Sequence, residues 1–576
     1  MSKTIVRRSC SSTEQFPVDL HPVLRRVYAA RAVESADDLD YSLERLIPPA
    51  ELGGLTGAVD LLEAAVSGHQ RIVVVGDFDA DGATSCALCM RALRAMGATE
   101  IHYLVPNRFE YGYGLTPEIV NVAAELQPDL IMTVDNGISS IEGVAAASQQ
   151  GIKVLITDHH LPGKQLPAAA AIVNPNNIGD GFPSKNLAGV GVAFYVMLAL
   201  RARLRDNGWF RDKAIAEPNL AQYLDLVALG TVADVVPLDR NNRILVQQGV
   251  QRMRAGRCVP GIRALLEVAG RSLSRLVSTD LGFTVGPRLN AAGRLDDMSL
   301  GIECLLTDDA VAASEMAARL DALNRERKDI ESDMQSRALE AIENLKLDDK
   351  QLPVGLCLFD PGWHQGVIGI LAARIKERFH RPVIAFARSG DGEIKGSARS
   401  VSGLHIRDAL DAVAARHPDL IAKFGGHAMA AGLSLPEAHY PAFASAFDEE
   451  VSRQLSRDDL NGVIYSDGEL AEQELSLETA QLLRDASPWG QGFPAPVFEG
   501  DFNVVSHRVV GQRHLKMTLS PERGHCQIDG IAFNTEVLPR GSQRVHMAYR
   551  LDVNEYRGIV TPQLIVEHME ARRQAD

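Results

Sequence analysis

The sequence predicts an α/β protein whose doubly wound, mostly parallel sheet is followed by a long connector helix, a second α/β domain and a small C-terminal β-barrel. Apolar β-rich runs alternate with helical stretches through the first third of the chain. A charged stretch without Pro or Gly then covers about residues 308–345. From about residue 458, short β runs dominate, which indicates a small antiparallel barrel or sandwich.

The first domain is predicted from its alternating elements. Apolar β-rich runs occupy residues 71–76, 101–106, 129–135, 153–158 and 170–175. Helical patterns lie between them at 83–98, 116–127 and 139–151. The runs are apolar almost throughout, which is typical of parallel strands with both faces buried. The apolar run 188–200 is too short to span a bilayer and predicts a buried helix.

The domain boundaries follow from these patterns. We predict an N-terminal segment over 1–50, the first α/β domain over 51–307 and the connector helix over 308–350. The second α/β domain is expected over 351–452, where β runs and helices alternate again, and the barrel over 458–576.

Composition restricts the class of protein. The seven cysteines lack zinc-type paired spacing, which favours reduced thiols in a cytoplasmic protein. Arg7 and Arg8 precede no apolar segment, so we do not expect export. The net charge of −15 is unusual for a nucleic-acid binder, although bound cations would offset clustered carboxylates. Composition therefore leaves the partner open.

Three aspartates directly follow the first apolar strand. Asp77, Asp79 and Asp81 lie in the segment VVVGDFDADGATS, and Gly82 permits a sharp exit into the next helix. Buried carboxylates this close together are costly unless cations neutralise them. A calcium loop is the alternative metal site, but the downstream acidic pattern of an EF-hand is missing.

Further candidate ligands end the later strands. Asp135 ends one apolar strand, and Asp158, His159 and His160 end the next. Residues beyond the carboxyl ends of parallel strands gather in one crevice. Asp234 lies in the apolar segment DLVALGTVADVVPL, where a lone carboxylate is expensive. Oxygen ligands with a histidine suit Mn²⁺ or Mg²⁺, and two ions roughly 4 Å apart would support phosphodiester hydrolysis.

These segments resemble a known superfamily. GDFDADG, VDNG, DHH and GTVADVVPL are similar, in order, to the four metal motifs of the DHH phosphoesterases. The segments PNRFEYGYGL, NLAGVGVAF, GPRLNAAGR, GWHQGVIGI, EIKGSARS and FGGHAMAAGL resemble the RecJ exonucleases in particular. The resemblance covers roughly residues 45–570. It implies a DHH domain, a DHH-associated domain and an oligonucleotide-binding (OB) barrel.

The resemblance also implies roles for the site residues. Asp79 and Asp81 would bind separate ions with Asp77 assisting, and Asp135 would bridge the ions. His159 and Asp234 would complete the shell of the second ion. His160 would face the scissile phosphate, and Asp158 would orient the histidines. The catalytic residues are therefore expected to be Asp81, Asp158 and His160.

The implied reaction is 5′-to-3′ hydrolysis of single-stranded DNA bearing a 5′ phosphate, in repair and recombination. Arginine binds phosphate in a bidentate manner. The matching segments assign substrate binding to Arg108, Arg288, His364, Ser397, Arg399, Gly426 and His427. Arg513 and Lys516, on one β segment of the barrel, could contact the DNA backbone. Single-stranded-DNA-binding protein and a helicase are the implied partners of a monomer, without a membrane role.

Two alternatives remain open at this stage. Another enzyme of the superfamily, such as a nanoRNase, a cyclic-dinucleotide phosphodiesterase or a manganese pyrophosphatase, would share the catalytic core. Those enzymes generally lack the connector and the barrel. A non-catalytic DNA-binding relative would have lost its metal ligands, whereas Asp79, Asp81, Asp135, His159 and Asp234 are all present.

Overall fold

The computed structural model describes residues 3–10, 12–106, 114–344, 352–390, 392–456, 458–511, 514–535, 537–538 and 543–572. The chain divides into two compact units. The larger unit contains residues 8–324 and 467–576, and the smaller unit contains residues 1–7 and 325–466. In the described part of the chain, no helix combines the length and the apolar character needed to cross a membrane.

The larger unit contains the predicted parallel sheet. Its five strands lie in the order Ile101–Leu104, Ile72–Val75, Leu130–Val134, Lys153–Thr157 and Ala171–Val173, and all neighbours are parallel. Every residue of Ile72–Val75 and of Leu130–Val134 is buried, as their apolar sequences predict. Ile72–Val75 comes first of the five in the chain and has neighbours on both sides, so the chain reverses its winding direction there. Such a switch point opens a crevice at the carboxyl ends of the strands.

Helices pack on this sheet and extend beyond it. The predicted buried run at 188–200 forms the helix Gly189–Asp206, whose first nine residues are all buried. It packs with Ala80–Ala95 and Leu224–Ala233 in the core. The remaining helices of this α/β domain are Pro22–Ala29, Leu55–Ser67, Pro117–Ala124, Ile141–Gln149, Trp209–Asp212, Arg240–Arg254, Pro260–Val268, Ser278–Asp280, the π-helix Leu281–Val285, Gly286–Leu295 and Ser299–Leu306.

The C-terminal part of the larger unit is a closed five-stranded barrel, preceded by the helix Leu477–Asp485. Its strands lie in the order Phe498–Val510, His514–Pro521, Ile528–Ala532, Ile559–Ala571 and Arg544–Tyr556. We expected an antiparallel barrel or sandwich, and one pair departs from that. Ile528–Ala532 and Ile559–Ala571 are parallel, because the chain crosses the barrel through Arg544–Tyr556 before returning.

The smaller unit contains the second α/β domain. Its sheet has the order Lys423–Gly426, Ala430–Pro436, Glu393–Arg399, Val383–Gly390 and Leu356–Phe359. The last two strands are parallel and the other pairs are antiparallel. Its helices are Ile368–Phe379, Ile406–Arg416 and Tyr440–Gln454. The strand Lys3–Arg7 pairs in parallel with Gly462–Ser466.

The connector is a single helix, Ala310–Asn344, as its uninterrupted charged pattern predicts. The division between the two units falls within this helix. The sequence contains no Pro or Gly that would break it. The fold class predicted from sequence is therefore confirmed.

Candidate metal centre

The loop after the strand Ile72–Val75 carries Asp77, Asp79 and Asp81 and turns sharply. A Cβ atom on Gly82 would lie 2.5 Å from the carbonyl oxygen of Asp77, so only glycine permits this approach. Asp79 is the N-cap of the helix Ala80–Ala95, and its Oδ1 accepts the amides of Asp81 and Gly82 at 3.0 Å each. Asp79 therefore caps a helix while its carboxylate faces the crevice of the sheet.

Asp81 is buried and held by a second helix. Its Oδ2 accepts the Gly189 amide at 2.6 Å, and its Oδ1 accepts the Val190 amide at 2.9 Å. These amides begin the helix Gly189–Asp206, whose N-terminal dipole favours a negative charge. Both oxygens of the Asp81 carboxylate are therefore fixed in direction.

Asp135 stands at the end of the strand Leu130–Val134 in a left-handed conformation, with φ of +62°. Aspartate tolerates this region better than most residues. Gly189 packs directly against it, and a Cβ atom there would lie 2.5 Å from the Cβ of Asp135. The glycine thus makes room for a carboxylate at the centre of the site.

The next strand ends in Asp158, His159 and His160. The Oδ1 of Asp158 accepts the amides of His159 and His160 at 2.7 and 3.1 Å, and lies 2.8 Å from Nδ1 of His160. The Nε2 of His159 is 3.1 Å from Oδ1 of Asp135 and 3.4 Å from Oδ2 of Asp234. The His160 ring therefore contacts the carboxylate of Asp158, and the His159 ring lies against those of Asp135 and Asp234.

The structure brings all the predicted metal ligands together. Among the described residues, three sets have ligand atoms within 4.8 Å of one another: Asp77, Asp79 and Asp135; Asp81, His159 and Asp234; and Asp135, His159 and His160. Asp135 belongs to two of these sets. The arrangement could hold two neighbouring cations with Asp135 between them.

Crowding and burial shift the proton affinities of these groups. Burial, with the charge of Asp234, raises the pKa of Asp81 to about 7. Burial, with the charge of Asp79, raises the pKa of Asp234 to about 7. Burial and the surrounding aspartates raise the pKa of Asp135 well above its ordinary value. Burial, with the charge of His160, lowers the pKa of His159. Without a cation, the carboxylates repel one another, and His159 is neutral.

His160 behaves differently from His159. Burial disfavours its charged form, but the hydrogen bond and charge of Asp158 outweigh that and raise the pKa of His160 to about 9. Burial likewise opposes ionisation of Asp158, yet His160 lowers the pKa of Asp158 overall. The pair is thus an imidazolium beside a carboxylate at neutral pH.

These residues fit a divalent cation. The Nε2 of His159 and the Oδ2 of Asp234 are buried, and neither makes a hydrogen bond within the described part of the chain. A neutral imidazole and carboxylate oxygens are competent ligands for Mn²⁺ or Mg²⁺. A cation there would occupy the orphaned ligand atoms and offset the repulsion between the aspartates.

Removing divalent cations is expected to make the stability of the larger unit fall as pH rises. The folded pKa of Asp81 and of Asp234 is about 7, above the ordinary value in an unfolded chain. The stability that these two carboxyl groups contribute is therefore fully present below about pH 4, and it is lost as pH rises through about 7. We expect the melting temperature of the chelated protein to drop between about pH 5 and pH 8.

Saturating Mn²⁺ should flatten this pH dependence, because the ion binds only the ionised, folded site. Differential scanning calorimetry with and without Mn²⁺ measures both slopes. The buried Asp225, whose pKa burial raises to about 6, contributes to both slopes and so does not affect their difference. Equal slopes in the two conditions would contradict the assignment of Asp81 and Asp234 as ligands.

Arg288, expected to bind phosphate, is engaged within the larger unit. Its Nε and Nη2 contact Oδ1 of Asp321 at 2.9 and 2.8 Å, and its Nη1 donates to the Thr284 carbonyl at 2.7 Å. A guanidinium has five N–H donors, so two remain beyond these contacts. Asp321 lies on the connector helix and fixes the orientation of Arg288.

Ser397 and Arg399 lie together on one strand of the smaller unit. The Nη1 of Arg399 donates to Oγ of Ser397 at 3.1 Å and to the Ala398 carbonyl at 2.8 Å. A Cβ atom on Gly369 would lie 2.9 Å from both side chains, so glycine leaves them room. Burial lowers the pKa of Arg399, and no carboxylate among the described residues pairs with it.

The other predicted contacts of the smaller unit lie in turns. His364 accepts the Gly366 amide on Nδ1 at 3.1 Å, just before the helix Ile368–Phe379. The His427 amide donates to the Ala430 carbonyl at 2.8 Å in the hairpin that follows Gly426, whose φ is +150°. This bond joins residues 427 and 430 across a two-residue hairpin loop. The binding roles of His364, Gly426 and His427 stay predictions.

Of the three remaining predicted substrate contacts, only Lys516 lies within the described residues. Arg108 and Arg513 lie outside the described residues. Lys516 is on the barrel strand His514–Pro521, where its Nζ pairs with Oδ2 of Asp529 at 2.9 Å. This pair crosses to the neighbouring strand, so the ammonium of Lys516 is partly neutralised.

Sequence reasoning missed several residues that shape the site. Asn290 accepts the Ala80 amide at 2.7 Å, and Asn136 donates to the carbonyls of Val75 and Val134. The backbone of residues 189–190 holds Asp81, and Asn174 and Asn176 contact the two histidines. For Asn174 and Asn176, the available signal was the polar segment NPNN directly after an apolar strand. We assigned its first two residues to the end of that strand and gave the other two no role.

The sequence also matches known domain families in the order of its folded parts. The DHH family N-terminal domain matches residues 71–231, the DHHA1 domain matches 351–453 and the RecJ OB domain matches 466–568. A doubly wound sheet with carboxylates and two histidines at its strand ends, joined to these two further domains, defines a metal-dependent DHH-family hydrolase.

Full-length relatives narrow the class. The single-stranded-DNA-specific exonuclease RecJ of Dickeya dadantii is 58% identical over 98% of this chain and 99% of its own. That of Escherichia coli is 56% identical over 98% of each chain. The crystal structure of RecJ with Mn²⁺ from Thermus thermophilus superimposes with a TM-score of 0.81 at 31% identity, covering 99% of this chain and 79% of that one. The chain belongs to the RecJ family of exonucleases.

Proposed function

We propose that this protein is a single-stranded-DNA-specific exonuclease that hydrolyses phosphodiester bonds from the 5′ end with two divalent cations. The observation that carries the proposal is the pair of ligand sets, Asp77–Asp79–Asp135 and Asp81–His159–Asp234, at one edge of the sheet. Membership of the RecJ family supports the substrate class. The cofactor is Mn²⁺ or Mg²⁺, the ions held by the related Thermus thermophilus structures.

We assign one group of residues to binding the cations and another to binding phosphate. Divalent cations held at this edge would neutralise the charge of the phosphodiester and activate water for attack. We assign one ion to Asp77, Asp79 and Asp135, and the other to Asp81, His159 and Asp234, with Asp135 shared. The helix dipole at Gly189 and Val190 favours the ionised form of Asp81 and fixes its direction.

His160 is assigned to the scissile phosphate. Its Nδ1 hydrogen is held by Asp158, which keeps the imidazolium oriented. The raised pKa of His160, about 9, keeps the ring protonated at neutral pH. A charged N–H donor near the phosphate would stabilise the negative charge that develops during attack. Asp158 therefore acts through His160 and contacts no substrate itself.

Recognition of the 5′ end is assigned to Arg399 with Ser397, and to Arg288. Arg399 is half-buried without a carboxylate partner among the described residues, which is costly for a cation unless an anion binds. A terminal phosphate supplies that charge and suits the planar guanidinium. In cells, we infer that the enzyme acts in the cytoplasm in DNA repair and recombination, as a monomer alongside single-stranded-DNA-binding protein and a helicase.

Degradation of end-labelled oligonucleotides tests this function. We expect the protein with Mn²⁺ to release nucleotides from the 5′ end of long single-stranded DNA, and to act poorly on duplexes and dinucleotides. Arg399→Ala should slow attack on 5′-phosphorylated DNA by roughly 10- to 100-fold, since a charge-assisted hydrogen bond contributes about 1.5–3 kcal/mol. The same variant should leave the rate on 5′-hydroxyl DNA nearly unchanged.

Arg378→Ala is the matched control, because Arg378 is an exposed cation of the same unit. Its ratio of 5′-phosphate to 5′-hydroxyl rates should equal that of the unchanged protein. Preferred cleavage of dinucleotides would instead indicate a nanoRNase-type enzyme. Equal rates on the two 5′ ends in the unchanged protein would remove the proposed role of Arg399.

A further inference from the structure

Two asparagines in the turn after the strand Ala171–Val173 contact the histidines of the metal centre. Asn174 is fully buried, and its Nδ2 donates to the backbone carbonyl of His160 at 2.9 Å. Asn176 donates from Nδ2 to the backbone carbonyl of His159 at 2.6 Å. The two asparagines are linked, because Oδ1 of Asn174 accepts the Asn176 amide at 2.8 Å.

These contacts complete a set around the His159–His160 dipeptide. On its other side, Oδ1 of Asp158 accepts both histidine amides. Both amides and both carbonyls of the dipeptide are therefore bound by side chains. Side chains seldom satisfy every polar group of two successive residues, since most backbone groups bond to other backbone groups. The arrangement fixes the peptide planes that determine the direction of each imidazole.

The turn that carries the asparagines is itself braced. The Nζ of Lys185 donates to the carbonyls of Pro175 and Asp180 at 2.6 and 2.8 Å. The Nδ2 of Asn176 also reaches the carbonyl of Lys185 at 3.2 Å. Hydrogen bonds within residues 175–185 therefore fix the position of Asn176. A donor in a fixed position can in turn fix the peptide that it binds.

We propose that Asn174 and Asn176 are positioning residues that orient His159 for binding a divalent cation. Nε2 of His159 lies 3.1 and 3.4 Å from the carboxylates of Asp135 and Asp234, so a small rotation of its peptide changes that geometry. Asn176 fixes this peptide directly, and Asn174 fixes the next one. The inference rests on the proposed function only in taking His159 as a metal ligand.

Titration of the metal-free protein with Mn²⁺, without DNA, tests the inference. Free Mn²⁺ is followed by electron paramagnetic resonance, which reports binding independently of catalysis. Asn176→Ala and the near-isosteric Asn176→Asp both remove the donor to His159. Loss of residues that orient metal ligands typically weakens binding about 10- to 100-fold, and we expect a loss in that range for the His159 site. Hydrolysis should fall at low Mn²⁺ and recover at saturating Mn²⁺.

Asn177→Ala is the matched control on the same turn, since Oδ1 of Asn177 makes no hydrogen bond with the described residues. It should bind Mn²⁺ like the unchanged protein. The folded fraction of each variant is checked by circular dichroism at the titration temperature. Unchanged Mn²⁺ affinity in both Asn176 variants, with normal binding by the unchanged protein, would overturn the inference. Absence of Mn²⁺ binding by the unchanged protein would overturn the proposed function and the inference together.

Discussion

Replacing Asp81 with alanine is expected to lower the rate of DNA hydrolysis by at least about 1000-fold, the equivalent of about 4 kcal/mol in the barrier. Asp81 is buried and is the only carboxylate of its ligand set that is fixed by two backbone amides. Affinity for single-stranded DNA should be retained, because the change removes a negative charge from the site.

Single-turnover hydrolysis of 5′-phosphorylated DNA, with binding measured separately by fluorescence anisotropy, checks both parts of this expectation. Asp225→Ala is the matched control. Asp225 is also a buried aspartate that accepts two backbone amides, from Leu226 and Val259, but it lies outside the ligand sets. That variant should lose stability while its folded fraction remains active. Normal cleavage by the Asp81 variant would show that the site has been assigned wrongly.

The gathering of Asp77, Asp81, Asp135 and His159 could be predicted from sequence because it depends on a general property of parallel sheets. Each residue closely follows a run of buried apolar residues, and the carboxyl ends of parallel strands share one edge. The approximate position of the site can therefore be predicted from the sequence without knowing the loop conformations. Asp234 could be included only because a lone aspartate in an apolar segment needs a partner.

Contacts that depend on loop conformation could not be predicted in the same way. The donors from Asn174 and Asn176 require a particular turn after the strand, and several turns are compatible with NPNN. Likewise, the Gly189 amide reaches Asp81 across 108 residues because two helices meet in the core. Such contacts arise from the packing of whole elements, which local periodicity does not specify.

Pairing of the N-terminal strand with a distant segment also cannot be predicted from local patterns. The strand Lys3–Arg7 is mostly exposed, so its alternation carries little information, yet it pairs with Gly462–Ser466. We assigned the first 50 residues to an N-terminal segment, and the helix Pro22–Ala29 of that segment packs in the core of the larger unit. Pairing between strands that are distant in sequence depends on how the intervening chain folds, which local patterns do not specify.

Asp467→Ala is expected to destabilise the larger unit by about 3–5 kcal/mol, because it leaves a buried arginine without its counter-charge. The side chains of Arg31 and Asp467 are 1% and 0% exposed, and two hydrogen bonds of 2.8 and 2.9 Å join them. Arg31 also lies 5.4 Å from the ring of Trp489. Urea denaturation followed by tryptophan fluorescence measures the change in the free energy of unfolding.

Asp40→Ala is the control, since Asp40 pairs with Arg45 at 2.9 Å on the open surface of the same unit. Exposed pairs are screened by water and salt, so this variant should unfold like the unchanged protein. If Asp467→Ala were equally neutral, the Arg31 guanidinium would be compensated by the carbonyls of Val27 and Pro494 that it also contacts. A large difference in the free energy of unfolding between the two variants would show that this ion pair stabilises the larger unit. The pair links Arg31, just after the helix Pro22–Ala29, to the segment that leads into the barrel.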